Sequence, residues 1–465
     1  MAVALGGATV FCAAVRLTER LPVSPWEAAI ATEALRLNVG LPIYESGRAT
    51  HMYGPLVSVV LAAIYRCCGL SFIASRVAMA MIAFCLAILL GITTCREKSR
   101  EWLPLAILLY LGVNFRTNLS FFTSQADCIA ALLSLVALYF WITRRNSVVR
   151  VATSVAFFVT ATLFKQTAAA CGLIPIAHVF LWQRPLRLRG LAASLVPVIF
   201  ILITFAAIRL VWPNMFAAII VVPAAIKVYY AKVLPVGGYL IATFPLFLVA
   251  AIAAFLTRHQ IGERERWIWA AIVVLVPTSI WATCKSGGSY NSLLLAYLAM
   301  TALFVIKQRV IYDWITSLSP VRRVLTAGAL GLAILFSFFA QFDRTLTLLS
   351  ARWGDDKYEQ AVAIARNLGD GIVSPQDPTI AYRATGYFGH SIFLELDTHA
   401  VNGNWPNELP GALLEELDGA KYVMVVHGYI RMRFFEQSLA ARGFWPLEVP
   451  ALANSAYVLW KKSNL

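Results

Sequence analysis

The sequence predicts an all-α polytopic membrane bundle followed by a small α/β domain, and three observations carry the prediction. Of its 465 residues, 60% are hydrophobic and only 14% are charged, against about 45–50% and about a quarter in soluble domains. Mostly apolar runs of the length that spanning helices require recur along residues 1–342. Beyond them, in residues 343–465, such runs stop and shorter helix and strand patterns begin.

The apolar runs predict about eleven spanning helices. They lie at roughly 1–16, 72–94, 102–114, 119–142, 150–164, 168–183, 190–211, 237–257, 267–284, 289–306 and 324–341. The run at 102–114 is short for a span and is expected to tilt or to pack within the bundle. The apolar segment 212–238 is interrupted by Pro213, Pro223 and Pro235, so we expect it to lie on the surface or to re-enter the membrane.

The net charge of +15 reports how the chain is oriented in the membrane. Every second short loop is basic and the intervening loops carry few charges. The basic loops contain Arg96, Lys98, Arg144, Arg145, Arg184, Arg187, Arg258, Arg264, Lys307 and Arg322. This alternation places the basic loops in the cytoplasm, and it argues against nucleic acid as the partner. It predicts a multi-pass protein of the cell inner (cytoplasmic) membrane, with 18–71, 212–238 and the C-terminal domain outside.

The cysteines and the N-terminal run exclude two further classes of feature. The eight cysteines are scattered, none follows Cys284, and no spacing resembles a metal knuckle. The run 1–15 lacks a basic segment before it, so it is expected to be a first spanning helix rather than a cleaved signal. In the C-terminal region, ARWGDDKYEQAVAIARNL predicts an amphipathic helix, and TIAYRA and KYVMVVH predict strands. We expect this region to fold separately and to roof a site or to bind an acceptor.

Three ionisable residues fall at the outer boundary of the predicted bundle. Asp127 lies near the start of a helix, Lys165 ends the next helix, and Lys285 lies in the turn CKSGGSYN. An ionisable group inside a membrane costs about 2.5–3.5 kcal/mol on insertion scales, so each needs a reason. Because all three map to the side that carries 18–71, a polar site at the outer membrane surface is predicted.

Each of these residues also has an ordinary structural interpretation. In CKSGGSYN, Gly287 and Gly288 with Lys285 could form a phosphate cradle at a helix N-terminus, or an ordinary turn with a lysine that reaches the lipid headgroups. A lysine at a helix end, such as Lys165, needs no function. Asp127 in a first helical turn is favoured by the helix dipole. Local sequence leaves these alternatives open.

Glu27 has two competing interpretations. Ser24, Pro25 and Glu27 fit a capping box with proline at the first helical position. Alternatively, Glu27 is a general base at the membrane surface that acts on a hydroxyl. Glu33 lies six residues on, about 120° around the helix, so the two do not form a paired carboxylate site.

The ordered set of these motifs resembles GT-C-fold integral membrane glycosyltransferases, close to the dolichyl-phosphate-mannose–protein mannosyltransferases and their bacterial relatives. The first outer loop carries the likeness in WEAAIATEALRLNVGLPIYESGRATHMYGPL. Further segments follow in the same order, namely SQADCIAALLSLVALYF, LFKQTAAACGLIP, KSGGSYNSLLLAY and SPQDPTIAYRATG. Two departures matter: Glu27 stands alone where many members carry an acidic pair, and Gln125 stands where arginine is common.

The resemblance implies a transferase that uses a polyprenyl-phosphate-linked sugar donor, a lipid, glycan or protein acceptor, and inversion at the anomeric carbon. The loop 18–71 would build the active site, with Glu27 as the base and Glu33 and Asp127 next in line. The substrate-binding residues would be Arg48, His51, Tyr53, Asp127, Lys165, Gln166, Lys285 and Asn291. No cofactor is specified, and participation of a divalent metal stays open. The alternatives are a secondary transporter, which should show related halves, and a polysaccharide polymerase or ligase that uses a lipid-linked donor.

Overall fold

The computed structural model shows a helical bundle that carries a small four-stranded sheet near its C-terminus. It describes residues 2–22, 24–45, 51–95, 97–117, 119–143, 147–183, 185, 188–340, 346, 357–392, 409, 411–426 and 433–463. The bundle helices are α1 (Ala2–Thr18), α2 (Pro25–Asn38), α3 (Pro55–Cys68), α4 (Phe72–Thr94), α5 (Leu103–Gly112), α6 (Asp127–Ile142), α7 (Val148–Phe164), α8 (Ile174–Trp182), α9 (Leu188–Val211), α10 (Pro213–Phe216), α11 (Val222–Ala225), α12 (Val233–Ala242), α13 (Pro245–Leu256), α14 (Glu263–Thr283), α15 (Leu294–Ser317) and α16 (Pro320–Phe339).

Within the described residues, five helices are long and apolar enough to cross a membrane, or six if one bent pair counts as a single span. They are α4, α9, α14, α15 with the turn before it, and α16. Other apolar helices, including α1, α6 and α7, have only 10–17 residues. The multi-pass membrane bundle is therefore confirmed, whereas the count of eleven spans is not.

One predicted span is wrong in shape. The run 237–257 consists of α12 and α13, which meet at a 78° bend. Pro245 begins α13, and a proline disfavours helical conformation in the residue before it, here Phe244. The segment 212–238 contains the short helices α10 and α11 with a π-helical turn between them, so it forms no single spanning helix.

The predicted outer loop, 18–71, contains two helices that pack against each other as a hairpin. Each of its helices, α2 and α3, begins with a proline, whose missing N–H costs nothing in the first turn. The Ser24 hydroxyl caps α2 by accepting the Glu27 N–H at 3.3 Å. The sequence therefore encodes where each helix of the hairpin begins.

The C-terminal residues form a small α/β unit. Its helices are α17 (Lys357–Leu368), α18 (Pro378–Thr385), α19 (Gly411–Gly419) and α20 (Arg433–Ala441). Its strands are β1 (Ile372–Val373), β2 (Tyr422–Val426), β3 (Phe444–Leu447) and β4 (Tyr457–Lys462), in the order β1-β2-β4-β3, with only the β1–β2 pair parallel. Apolar residues of α17, α18 and β2 pack in one core with residues of α2 and α3.

The predicted amphipathic helix is confirmed over Lys357–Leu368, and the strand in KYVMVVH is confirmed as β2, whereas residues 351–356 lie outside the described part. The predicted strand in TIAYRA is wrong, because these residues belong to α18. The Asp377 carboxylate accepts the Thr379 N–H at 3.2 Å, and Gly386, with φ of 80°, ends the helix. Asp-Pro at one end and glycine at the other were the helix signals, and the short alternation of apolar residues masked them.

Candidate active site

A cavity of about 590 Å³ opens among the outer hairpin, the start of α6, the end of α7 and the turn between α14 and α15. It gathers residues that are far apart in the sequence. The predicted site residues in its wall are Tyr53, Asp127, Lys165, Gln166, Lys285 and Asn291. The structure therefore brings together in one place six of the residues that the sequence singled out.

An ion pair lies in the wall of this cavity. Helices α6 and α7 form an antiparallel hairpin, so Asp127 at the start of α6 meets Lys165 directly after α7. The Lys165 Nζ donates to Asp127 Oδ1 at 2.5 Å, and the two side chains are 12% and 3% exposed. The other oxygen, Oδ2, is buried and has no hydrogen-bond partner among the described residues. The ion pair thus fixes Oδ1, whereas Oδ2 accepts no hydrogen bond from the described residues.

Gly54 fixes the outer loop against the ion pair. Its N–H donates to the Phe164 carbonyl at 3.1 Å, and a Cβ added at Gly54 would lie 1.8 Å from the Leu163 carbonyl oxygen. Only glycine allows the loop to approach the end of α7 so closely. As a result, the Tyr53 ring lies 5.4 Å from Lys165 Nζ, within range for a cation–π contact.

Lys285 reaches the cavity from the turn between α14 and α15. Its Nζ donates to the Pro223 carbonyl at 2.7 Å, and partial burial lowers the pKa of this amine. The Gly288 N–H donates to the Lys285 carbonyl at 2.9 Å, and a Cβ at Gly288 would come within 2.5 Å of the Thr283 carbonyl oxygen. The glycine is therefore needed for a tight turn, and the lysine supplies the charge.

The wall of the cavity is positively charged. Among the described residues that line it, Arg16, Lys165 and Lys285 are cationic and Asp127 is the one carboxylate, so three positive charges less one negative leave +2. Arg16 donates to Glu19 at 2.9 Å, while its Nε is buried without a partner in the described part of the chain. Such a wall suits an anionic ligand. Within the described residues, no three His, Cys, Asp or Glu side chains come close enough to hold a metal ion.

Glu27 does not reach this cavity. Its side chain is fully buried and forms a 2.6 Å ion pair with the equally buried Arg76 of α4. Its Oε1 accepts the Ser124 N–H at 2.7 Å and Arg76 Nε at 3.1 Å. Both carboxylate oxygens accept hydrogen bonds, and Glu27 is not among the residues that line the cavity. The predicted base needs access to a substrate hydroxyl, and this arrangement does not provide it.

The sequence contained the signal for this pair. Arg76 lies inside the run 72–94, which is otherwise apolar and therefore predicts a spanning helix. An arginine within a span needs a partner, and here it also donates to the Glu19 and Leu21 carbonyls, both at 2.6 Å. Glu33, the next acid considered as a base, is 1% exposed and does not line the cavity either.

His51 corrects a second expectation. Its Nδ1 accepts the Tyr53 N–H at 3.2 Å and its Nε2 lies 2.8 Å from the Ser58 hydroxyl. Burial lowers the pKa of His51 to about 3, so the ring is neutral near pH 7. It cannot act there as a cation toward phosphate, and instead it holds the outer loop together. Arg48, the other candidate from this loop, lies outside the described residues.

Comparison with known proteins bears on the fold. No protein-family model matches the sequence, and no curated protein matches it. ArnT from Cupriavidus metallidurans bound to undecaprenyl phosphate matches with a TM-score of 0.58 and 13% identity, over 98% of this chain and 97% of that chain. The Archaeoglobus fulgidus oligosaccharyltransferase AglB, in complex with an inhibitory peptide and a dolichol-phosphate, matches with a TM-score of 0.55 and 12% identity, over 95% of this chain and 72% of that chain. The chain therefore has the GT-C fold, as the resemblance implied.

Proposed function

We propose that this protein is an inverting glycosyltransferase that transfers a sugar from a polyprenyl-phosphate-linked donor to a hydroxyl acceptor in the cavity described above. The observation that carries the proposal is a cavity whose described lining residues include three cations and one carboxylate, Asp127, with an oxygen that has no partner among those residues. The fold supports it, since structural neighbours were determined with undecaprenyl phosphate and dolichol-phosphate. The reaction type, the donor and the acceptor class are our inference.

Asp127, rather than Glu27, is the base in this proposal. A general base must lie within hydrogen-bond reach of the proton that it accepts. Asp127 is the one carboxylate among the described residues that line the cavity, and its Oδ2 has no partner among those residues. The ion pair with Lys165 holds Oδ1 and so orients Oδ2.

The negative charge that develops in the proposed step is matched by the positive charge of the cavity wall. Asp127 Oδ2 takes the proton of the acceptor hydroxyl, and the acceptor oxygen forms a bond to the anomeric carbon. The bond from that carbon to the phosphate oxygen breaks, and its electron pair leaves with polyprenyl phosphate. The phosphate passes from one negative charge to two, and cations placed where charge develops stabilise that change. Lys285, Lys165 and Arg16 are the groups that could supply this stabilisation.

We place the reaction on the outer face of the cytoplasmic membrane. The alternation of basic loops supports this orientation. The cavity is bordered by the hairpin α2–α3, and the C-terminal unit packs in the same core as that hairpin. The C-terminal unit would then lie outside as well, close to the cavity, where it could bind the acceptor.

Binding of the lipid product tests the proposal without knowledge of the sugar. The full-length protein in nanodiscs should bind undecaprenyl phosphate, and Lys285→Met should weaken binding by roughly ten- to a hundredfold, as expected for a lost charge-assisted hydrogen bond of about 1.5–3 kcal/mol. Lys232→Met is the matched control, because Lys232 is an exposed lysine of the preceding segment that does not line the cavity. Absence of binding, or equal losses in both variants, would contradict the proposed site.

A further inference from the structure

Three amide side chains line the cavity, and two of their hydrogen bonds are long, although Asn291 Oδ1 also accepts a short one from the Ser289 hydroxyl. Gln125, Gln166 and Asn291 come from three separate segments of the chain. The Gln125 Nε2 donates to Ser24 Oγ at 3.4 Å, and the Asn291 Nδ2 donates to Gln125 Oε1 at 3.5 Å. Both distances lie beyond the usual 2.7–3.2 Å. These contacts could therefore be exchanged for shorter ones when a ligand enters.

Gln166 adds an acceptor that is not used. Its Nε2 donates to the Met52 carbonyl at 3.1 Å, which fixes the side chain. Its Oε1 is buried and has no partner among the described residues. A buried acceptor without a donor is costly until it is satisfied. Because Gln166 lines the cavity, a ligand with a hydrogen-bond donor could satisfy this acceptor.

Amide groups match sugar hydroxyls in their chemistry. Each amide offers both donors and acceptor positions, and each hydroxyl both donates and accepts. Two aromatic rings complete this part of the wall, because Trp26 and Tyr53 line it with their centroids 5.6 Å apart in an edge-on arrangement. Their apolar surfaces can pack against the C–H face of a sugar ring. The amides can therefore recognise the hydroxyl groups of a sugar, and the aromatic rings can recognise the shape of its ring.

The charges of the wall act against a cationic sugar. The single carboxylate among the described lining residues, Asp127, is already paired with Lys165. Lys285 adds a further positive charge, whereas Arg16 is paired with Glu19. Among the described lining residues, a protonated amine could pair only with Asp127 Oδ2, the oxygen that the proposed step needs for the acceptor hydroxyl, and the cations of the wall would repel it.

Resting on the proposed function, we infer that the donor sugar is uncharged and is recognised through its hydroxyl groups by Gln125, Gln166 and Asn291, so that sugars with a free amine are rejected. The three wall cations serve the phosphate, and the amides serve the sugar. This division of the wall assigns a substrate class to the site.

Matched donors test the inference. The full-length protein in nanodiscs is titrated at pH 6.5 with undecaprenyl-phosphate-linked glucose, galactose and mannose, with the 2-amino-2-deoxy counterparts, and with their N-acetylated forms, which separate charge from size. Undecaprenyl phosphate alone gives the reference for the phosphate part. At least one neutral hexose should bind about tenfold more tightly than its amino counterpart, and more tightly than undecaprenyl phosphate.

Charge variants then probe the amides directly. Gln125→Glu and Asn291→Asp keep size and place a carboxylate in the wall, so each should narrow or reverse the preference for the neutral hexose. Gln260→Glu is the control, since Gln260 is exposed in the turn between α13 and α14. Equal or tighter binding of the amino sugars to the parent protein, or no difference between sugar-linked and free undecaprenyl phosphate, would overturn the inference. Failure of every lipid, including free undecaprenyl phosphate, would instead overturn the proposed function.

Discussion

Among the residues that the structure describes, the Glu27–Arg76 and Asp127–Lys165 ion pairs connect distant segments near the outer hairpin, and they differ in how many carboxylate oxygens are bonded. In the Glu27–Arg76 pair, both side chains are fully buried and both carboxylate oxygens accept hydrogen bonds. In the Asp127–Lys165 pair, one carboxylate oxygen is bonded, the other has no partner among the described residues, and both side chains belong to the wall of the cavity. The two pairs therefore differ in whether their carboxylate oxygens are satisfied, and the proposed function assigns a structural role to the first pair and a reactive role to the second.

The largest expected effect follows from breaking the Glu27–Arg76 pair, in which both carboxylate oxygens accept hydrogen bonds. Arg76→Met leaves the Glu27 carboxylate buried without its cation, which should lower the free energy of unfolding by about 3–5 kcal/mol. Thermal unfolding of the purified protein in detergent measures the loss.

A double variant provides the control for Arg76→Met. Replacing both partners by apolar residues of similar size, as in Glu27→Leu with Arg76→Met, should recover most of the lost stability. It should also retain turnover, because neither side chain lines the cavity. A stable double variant with no turnover would assign Glu27 a chemical role.

Breaking the Asp127–Lys165 pair should have a smaller effect on stability and should mainly lower turnover. Lys165→Met removes the group that orients Asp127, so turnover should fall roughly ten- to a hundredfold, at the lower end of what one positioned group contributes. The unfolding temperature should change less than in Arg76→Met, because Lys165 borders a cavity that water can enter. Lys165→Arg should restore part of the turnover. Equal losses of stability in Lys165→Met and Arg76→Met would remove the distinction between the pairs.

The comparison extends to His51 in the outer loop. Like the two carboxylate oxygens of Glu27, both ring nitrogens of His51 have hydrogen-bond partners. Its pKa falls to about 3 in the folded protein from an ordinary 6.5. Between these values the unfolded chain binds the extra proton, so stability from this residue is present above pH 6.5 and is lost as the pH falls toward 3. At pH 5 the loss should be about 2 kcal/mol relative to pH 8.

The unfolding temperature measured from pH 8 to pH 5 checks the contribution of His51. His51→Gln should remove this part of the pH dependence, whereas His259→Gln, at an exposed position in the turn between α13 and α14, should retain it. An unchanged slope in His51→Gln would show that the ring is already solvated in the folded state.

The sequence predicted the membrane bundle, the C-terminal α/β unit and six residues that line the cavity, because apolar length and intramembrane charge are local signals. The sequence did not reveal that Glu27 is buried against Arg76, because the two residues lie 49 positions apart and the run that contains Arg76 is otherwise apolar. The bend between α12 and α13 was not predicted, because it depends on a single proline, Pro245. The role of His51 depends on Ser58 and a backbone N–H, and no spacing rule reports such contacts.

The comparison of the two pairs is tested most directly by measuring turnover and unfolding temperature together for Asp127→Asn and Glu27→Gln. Asp127→Asn keeps size and polarity but removes the basic oxygen, so turnover should fall by about 10²–10⁴-fold while the unfolding temperature stays near that of the parent. Glu27→Gln should lower the unfolding temperature, because Arg76 loses its counter-charge, while turnover per folded molecule stays close to the parent value. The reverse pattern, with turnover lost in Glu27→Gln and retained in Asp127→Asn, would contradict the assignment of Asp127 as the base and of Glu27 as a structural partner.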